Sequence, residues 1–134
     1  ILAKEKNLKS IDVWGDGEQT RSFMFIDDCL RGTIKLFESN YSQPFNIGSE
    51  EQVSINQMID IISEIADYEV KKNYQLDKPK GVRGRSSDNS LIRDKINWDT
   101  NYTLRRGLEL TYKWIYDEIK NNNKSNTNKF TKSY

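Results

Sequence analysis

Apolar residues along this chain recur with two different periods, and the switches between them mark the elements. Ile11-Asp12-Val13-Trp14 alternates in the manner of a short strand and runs into Gly15-Asp16-Gly17, a turn sequence in which glycine tolerates positive φ. Arg21 to Ile26 resumes an extended pattern, with Phe23 and Phe25 on one face and Met24 on the other. At Asp27 the period changes: Ile26, Leu30, Ile34 and Phe37 stand at helical spacing, and Asp27 or Asp28 is placed to cap the start. A strand running straight into a helix is the result.

Pro44-Phe45-Asn46-Ile47-Gly48 predicts a brief strand and turn. Ser54 with Gln57 three residues on forms a capping box, and Ile55, Met58, Ile59, Ile62, Ile65 and Ala66 make the apolar stripe of the helix it opens. Val70 to Leu76 predicts another strand. Asp77 to Arg85 reads as a loop because of its proline, its two glycines and its charges. A short helix is expected over Ser87 to Ile96. Thr103 then caps a last long helix in which Leu104, Leu108, Thr111 and Ile115 share a face, with Trp114 beside it. From Asn121 onward the chain is Asn, Lys, Ser and Thr with little to bury, so a domain over 1–120 followed by a disordered tail over 121–134 is expected.

The length of 134 residues suits one ordinary domain with a core of its own. Lys+Arg 21 against Asp+Glu 20 leaves no broad field to draw the protein onto nucleic acid or a membrane, so any anion it binds must be held by a few placed cations. No apolar run approaches the roughly 18–20 residues of a membrane span, and no signal segment opens the chain. A cytoplasmic protein is expected. The single Cys29 has no internal disulfide partner, which fits a reducing compartment, and its place in a helical stripe reads as packing rather than nucleophile. The three tryptophans read as packing residues too, with Trp14 close enough to the glycine turn to line a pocket. Histidine is absent, which excludes a Ser-His triad, a His base and a His-bearing metal site within these residues. Ile1-Leu2-Ala3-Lys4-Glu5-Lys6 reads as the last turns of a helix entered from upstream, and the chain is expected to be a fragment.

Two segments can carry chemistry. Trp14 to Phe23 presents backbone N–H groups and polar side chains on one rim, and Arg21 at the start of the next strand can pair with a phosphate. Gly81-Val82-Arg83-Gly84-Arg85-Ser86-Ser87-Asp88-Asn89 is a basic loop leading into a helix start, where Arg85 can reach an anion near the positive helix end. Charge-assisted hydrogen bonds contribute roughly 1.5–3 kcal/mol each, so two such arginines can account for micromolar diphosphate binding. On spacing alone, an ordinary hairpin and a solvated basic loop account for the same residues.

Taken in order, these segments, with Pro44 to Ser49, Ile96-Asn97-Trp98 and the helix Leu104 to Ile119, resemble the C-terminal part of extended short-chain dehydrogenase enzymes that act on nucleotide sugars. The likeness covers about 110 residues and is strongest to the GDP-mannose 3,5-epimerases. The Gly-Asp-Gly-x-Gln-Thr-Arg-Ser-Phe run is shared with UDP-glucuronate decarboxylases, whereas Gly81 to Asn89 looks like the epimerase version. The resemblance implies an α/β fold, the substrate-binding part of a Rossmann-type enzyme built from short strands and several helices. It implies that Gln19, Thr20, Arg21 and Arg85 contact a GDP-sugar, that Lys4 does so across a one-residue gap in the match, and that Asp88 meets a ribose hydroxyl. It further implies NAD as cofactor, GDP-mannose or a related nucleotide sugar as partner, and a homodimer when full length. In the implied reaction, NAD takes a hydride from C4 of the sugar, C5 and C3 are deprotonated and reprotonated, and the hydride returns.

No residue of this chain is assigned to catalysis or cofactor binding. No Gly-x-x-Gly-x-x-Gly loop after a first strand and no Tyr-x-x-x-Lys pair are read in the chain, and Cys29 does not match the group's acid/base cysteine. The NAD-binding half is therefore expected to be missing and the chain alone inactive. Another nucleotide-sugar enzyme of the same fold, such as a UDP-glucuronate decarboxylase or a 4-epimerase, and a non-catalytic binding module remain as alternatives.

Overall fold

The computed structural model describes the backbone of residues 1–124 and the side chains through Asn121. The elements are α1 (Leu2–Glu5), β1 (Ser10–Trp14), β2 (Thr20–Ser22), α2 (Ile26–Glu38), β3 (Gln52–Ser54), α3 (Ile55–Ala66), β4 (Lys71–Gln75), β5 (Gly84–Arg85), α4 (Ser90–Ile96) and α5 (Leu104–Lys124). They form an α/β arrangement with two small sheets. In one, β1 and β4 pair in parallel, from Ser10 against Lys71 to Trp14 against Gln75. In the other, β2 is central, antiparallel to β3 and parallel to β5.

Helix α3 joins the two sheets, leaving β3 directly and returning the chain to β4, and it packs against α5. Its start is fixed by the expected capping box: Ser54 Oγ accepts from the Gln57 amide at 3.1 Å and Gln57 Oε1 accepts from the Ser54 amide at 2.9 Å. Its end turns through Asp67 at φ +47°, where the Lys4 ammonium donates to the Ala66 carbonyl at 2.5 Å. Thr103 Oγ1 accepts from the Arg106 amide at the start of α5, as expected. The buried apolar residues are Val13, Val53, Ala66, Ile92, Trp98 and Leu104.

The neighbourhood of α2 departs from the sequence expectation. Neither Asp27 nor Asp28 caps the helix; the N-cap is Phe25, without a side-chain bond. Asp28 is fully buried instead, accepting from the amides of Asn101 and Tyr102 and pairing with Arg31 at 2.6 Å. A carboxylate with three donors at hand gains more there than at the helix end. The inward face of α2 thus carries Asp28 and Gly32, while the stripe Ile26, Leu30, Ile34 and Phe37 faces outward, Phe37 being 89 % exposed. Nothing among the described residues covers it.

Other boundaries moved as well. Residues 44–48 form no strand, the extended segment after the glycine turn ends as β2 at Ser22, and α4 begins at Ser90 rather than Ser87. Trp98 packs as expected, but Trp14 and Trp114 are 59 % and 60 % exposed. Helix α5 runs to Lys124, four residues into the segment expected to be a disordered tail; the rest of that tail lies outside the described residues.

Candidate functional site

The two chemistry-bearing segments, more than sixty residues apart in sequence, meet as adjacent strands. β2 and β5 pair in parallel with Thr20 opposite Gly84 and Arg21 opposite Arg85. The Thr20 amide extends the ladder by donating to the Arg83 carbonyl at 2.9 Å. Residues opposite one another share a face, and neighbouring strands lie about 4.8 Å apart, so Arg21 and Arg85 leave one face side by side while Thr20 and Gly84 belong to the other. Gly84 permits this closeness. A Cβ there would stand 2.8 Å from Thr20 Oγ1, which donates to Gln52 Oε1 at 3.0 Å.

The glycine turn is locked to the start of α3. Gly15 and Gly17 have φ of +78° and +73°, and a Cβ on Gly17 would collide with the Asn56 side chain. That side chain donates to the Asp16 carbonyl at 3.0 Å and to Glu18 Oε1 at 2.7 Å, while the Asn56 amide donates to the Gly17 carbonyl. Lys80 closes the turn from the β5 side through a 2.6 Å pair with Asp16, which holds that carboxyl below its usual range. Gln19 Nε2 donates to the Trp14 carbonyl at 3.2 Å, while its Oε1 is buried with no partner.

Charge separates this face from the rest of the surface. The chain has seven arginines. Arg31, Arg93, Arg105 and Arg106 are ion-paired, to Asp28, to Glu50 and Asp99, to Glu64 and Glu109, and to Glu109. Arg21, Arg83 and Arg85 have no acidic partner among the described residues. Among the described residues the Arg21 side chain bonds only the Thr20 carbonyl, from Nη1 at 2.6 Å, and its Nη2 lies 3.3 Å from the Cβ position of Gly81. Like charges directly opposite each other on neighbouring strands are destabilising. A fold tends to keep such a local conflict where it serves a site.

Of the remaining sequence-assigned residues, Gln19 and Thr20 adjoin Arg21 along the chain, with Thr20 on the other face of β2 and its hydroxyl on Gln52, and two lie apart. Lys4 sits at the C-terminal end of α3, a helix of twelve residues and so about 18 Å long, whose other end abuts the site. Its ammonium is engaged with the carbonyls of Ala66 and Asp67. Asp88 Oδ1 accepts from the Ser90 amide and hydroxyl, which hold its carboxyl below the usual range. The expected anion site at the helix after Arg85 is likewise not formed: Glu50 Oε1 takes the Asn89 amide at 2.9 Å and Asp88 the Ser90 amide, so carboxylates of the chain already occupy that end. Asn56, Gln52 and Lys80 were not singled out from sequence; each acts through a contact 32 to 64 residues away that no local pattern reports.

The spacing Tyr-x-x-x-Lys does occur three times, at Tyr68/Lys72, Tyr74/Lys78 and Tyr116/Lys120. The first two pairs each have one member in β4 and are spent on other bonds, Tyr68 to the Leu8 carbonyl, Lys72 to Asp60, Tyr74 to Asn56 and Lys78 to Asp77. The third lies on α5 with the Lys120 ammonium 4.3 Å from its own partner's ring centre. Among the described residues, none of these side chains bonds Arg21, Arg83 or Arg85. An apolar groove of about 510 Å³ between α1, α3 and α5, lined by Ile1, Ile11, Ile62, Leu108, Trp114 and Ile115 among others, also lies elsewhere. No described helix is long and apolar enough to cross a membrane.

Solved structures share this fold. UDP-glucose 4-epimerase from Thermotoga maritima, determined with UDP-glucose, superposes with a TM-score of 0.77 at 28 % identity, covering 82 % of this chain and 36 % of that one. UDP-glucuronic acid 4-epimerase from Bacillus cereus, determined with UDP-glucuronic acid and NAD, gives 0.77 at 30 % identity, covering 87 % and 38 %. The class is thereby defined: these residues have the fold of part of an extended short-chain dehydrogenase of the nucleotide-sugar epimerase type. Residues 1–111 match the family model described as GDP-mannose 4,6 dehydratase, and the chain belongs to that family. Among curated relatives, GDP-mannose 3,5-epimerase 1 of Oryza sativa subsp. indica is 47 % identical over 108 residues, covering 81 % of this chain. The chain spans 28 % of that relative's length.

Proposed function

We propose that this chain is the GDP-sugar-binding portion of a GDP-mannose 3,5-epimerase, with β2 and β5 as the face that holds the diphosphate. The observation that carries the reading is the register of Arg21 against Arg85, two guanidinium-bearing residues placed side by side with no carboxylate paired to them among the described residues. Guanidinium forks match phosphate oxygens in pairs, and each bond formed draws on the charge of both partners. Gln19, which precedes β2, and Thr20, which opens it on the other face, are read as further contacts on the resemblance. Identity of 47 % to the rice epimerase, against 29 % to a UDP-glucuronic acid decarboxylase, supports the guanosine sugar. The UDP-sugars in both superposed structures favour a second reading, a UDP-sugar enzyme of the same fold.

NAD dependence is proposed for the whole enzyme and not for these residues, which do not fit that cofactor. Among the described residues Gly15 and Gly17 lead into β2, Gly81 leads into β5 and Gly84 opens it, so no glycine turn there delivers a strand to a helix N-terminus as dinucleotide binding needs. The chain by itself is read as inactive, and the whole enzyme as a cytoplasmic homodimer. Proton NMR of GDP-mannose with the full-length polypeptide and NAD in deuterated water tests the activity. Epimerisation at C3 and C5 exchanges those two protons for deuterium; retention of both, or turnover of UDP-glucuronate in place of GDP-mannose, sinks the reading.

A further inference from the structure

The segment entering β5 carries a third arginine with no role so far. The Arg83 side chain is exposed and has neither a hydrogen bond nor an ion pair among the described residues. Its backbone is nevertheless fixed, because its carbonyl accepts the Thr20 amide at 2.9 Å, one step before the Thr20–Gly84 pair. Arg83 is two residues from Arg85, so their Cα atoms stand no more than about 7 Å apart. From the other side the Arg21 guanidinium reaches toward the same segment, with Nη2 lying 3.3 Å from the Cβ position of Gly81.

Nearby carboxylates do not answer this charge. Asp16 is paired with Lys80, Glu18 accepts from Asn56, and Asp88 accepts from Ser90. Three guanidinium-bearing residues therefore converge on one short stretch, although arginines elsewhere on the described surface find acidic partners. We infer that Arg83 is a third cationic contact for the diphosphate of the bound nucleotide sugar, an inference that rests on reading β2 and β5 as the ligand face. Arg21 and Arg85 approach from neighbouring strands, and Arg83 adds a fork from the bend that enters β5.

Titration calorimetry on the full-length polypeptide tests this, with GDP-mannose, GDP and guanosine as ligands and Arg83→Ala, Arg83→Gln and Arg83→Lys as variants. Arg83→Ala and Arg83→Gln are expected to weaken GDP-mannose and GDP about tenfold and to leave guanosine unchanged, while Arg83→Lys, which keeps the charge but not the fork, recovers part of the loss. A merely structural role would weaken guanosine equally, and that result overturns the inference. So does GDP-mannose affinity within about twofold of the parent in the neutral variants. If Arg21→Ala and Arg85→Ala lose affinity while the Arg83 variants do not, only this inference falls. If all of them bind like the parent, the ligand face itself is wrong.

Discussion

Gly84→Ala tests the pairing on which the site depends. The added Cβ stands 2.8 Å from Thr20 Oγ1, well inside the ~3.5–4.0 Å at which uncharged heavy atoms rest. Two escapes exist. Thr20 can rotate about χ1, which breaks its hydrogen bond to Gln52 at a cost of about 0.5–1.5 kcal/mol and can leave an off-rotamer side chain at about 0.5–1.5 kcal/mol more. Alternatively β5 moves off β2 and the two-residue ladder opens. Against this, alanine restricts the unfolded chain and returns about 0.4–1 kcal/mol. The expected net loss is about 0.5–2 kcal/mol, read as the shift in urea midpoint of the full-length polypeptide at unchanged slope. In a Thr20→Ala background the obstructing oxygen is gone, and Gly84→Ala should then be neutral or stabilising. Equal costs in the two backgrounds would refute the contact, because the coupling energy of the cycle isolates it.

Three further outcomes follow from the packing. Gly32→Ala would drive a Cβ to 2.8 Å from buried Trp98 and 3.0 Å from Ile47, so despite better helix propensity it should destabilise by about 1–3 kcal/mol, seen as a lower thermal midpoint. Asp28→Asn should cost about 2–4 kcal/mol at neutral pH, less than the loss for a wholly buried pair because Arg31 keeps the Asp99 carbonyl and is partly exposed. Burial raises the Asp28 pKa, but Arg31 and the Asn101 and Tyr102 amides outweigh it and hold the carboxyl below 3.8. Its contribution is thus complete above that value and is lost as pH falls through the lower folded value, so parent and variant should converge in acid denaturation only below about pH 4. Lys4→Ala should leave GDP-mannose affinity unchanged in calorimetry and cost about 0.3–1 kcal/mol of stability, because its ammonium serves the C-terminal end of α3; a large loss of affinity would restore it to the ligand site.

What could be read from the sequence divides along the range of the interactions. The capping box at Ser54 and Gln57 and the glycine turn at Gly15 and Gly17 are set by residues within a few positions of each other, and both formed where the pattern put them. Arg21 and Arg85 were each recognisable as candidates, but their pairing depends on a parallel ladder between segments that share no local signal. The Asp28 carboxylate looked like a cap because its partners, the amides at 101 and 102, are more than seventy residues away. The apolar stripe of α2 was correctly seen as helical, yet periodicity reports that a face is apolar and not what covers it, and here that face is open. Lys4 was placed by resemblance alone, and its helix-end carbonyls were invisible to any motif.

Whether β2 and β5 hold the diphosphate is decided most directly by titrating GDP-mannose into the full-length polypeptide carrying Arg21→Ala or Arg85→Ala, with NAD titrated in parallel. Each substitution is expected to weaken GDP-mannose by roughly 1.5–3 kcal/mol, about 10- to 100-fold, and to leave NAD affinity as it was. GDP-mannose affinity unchanged in both variants would contradict the assignment of this face.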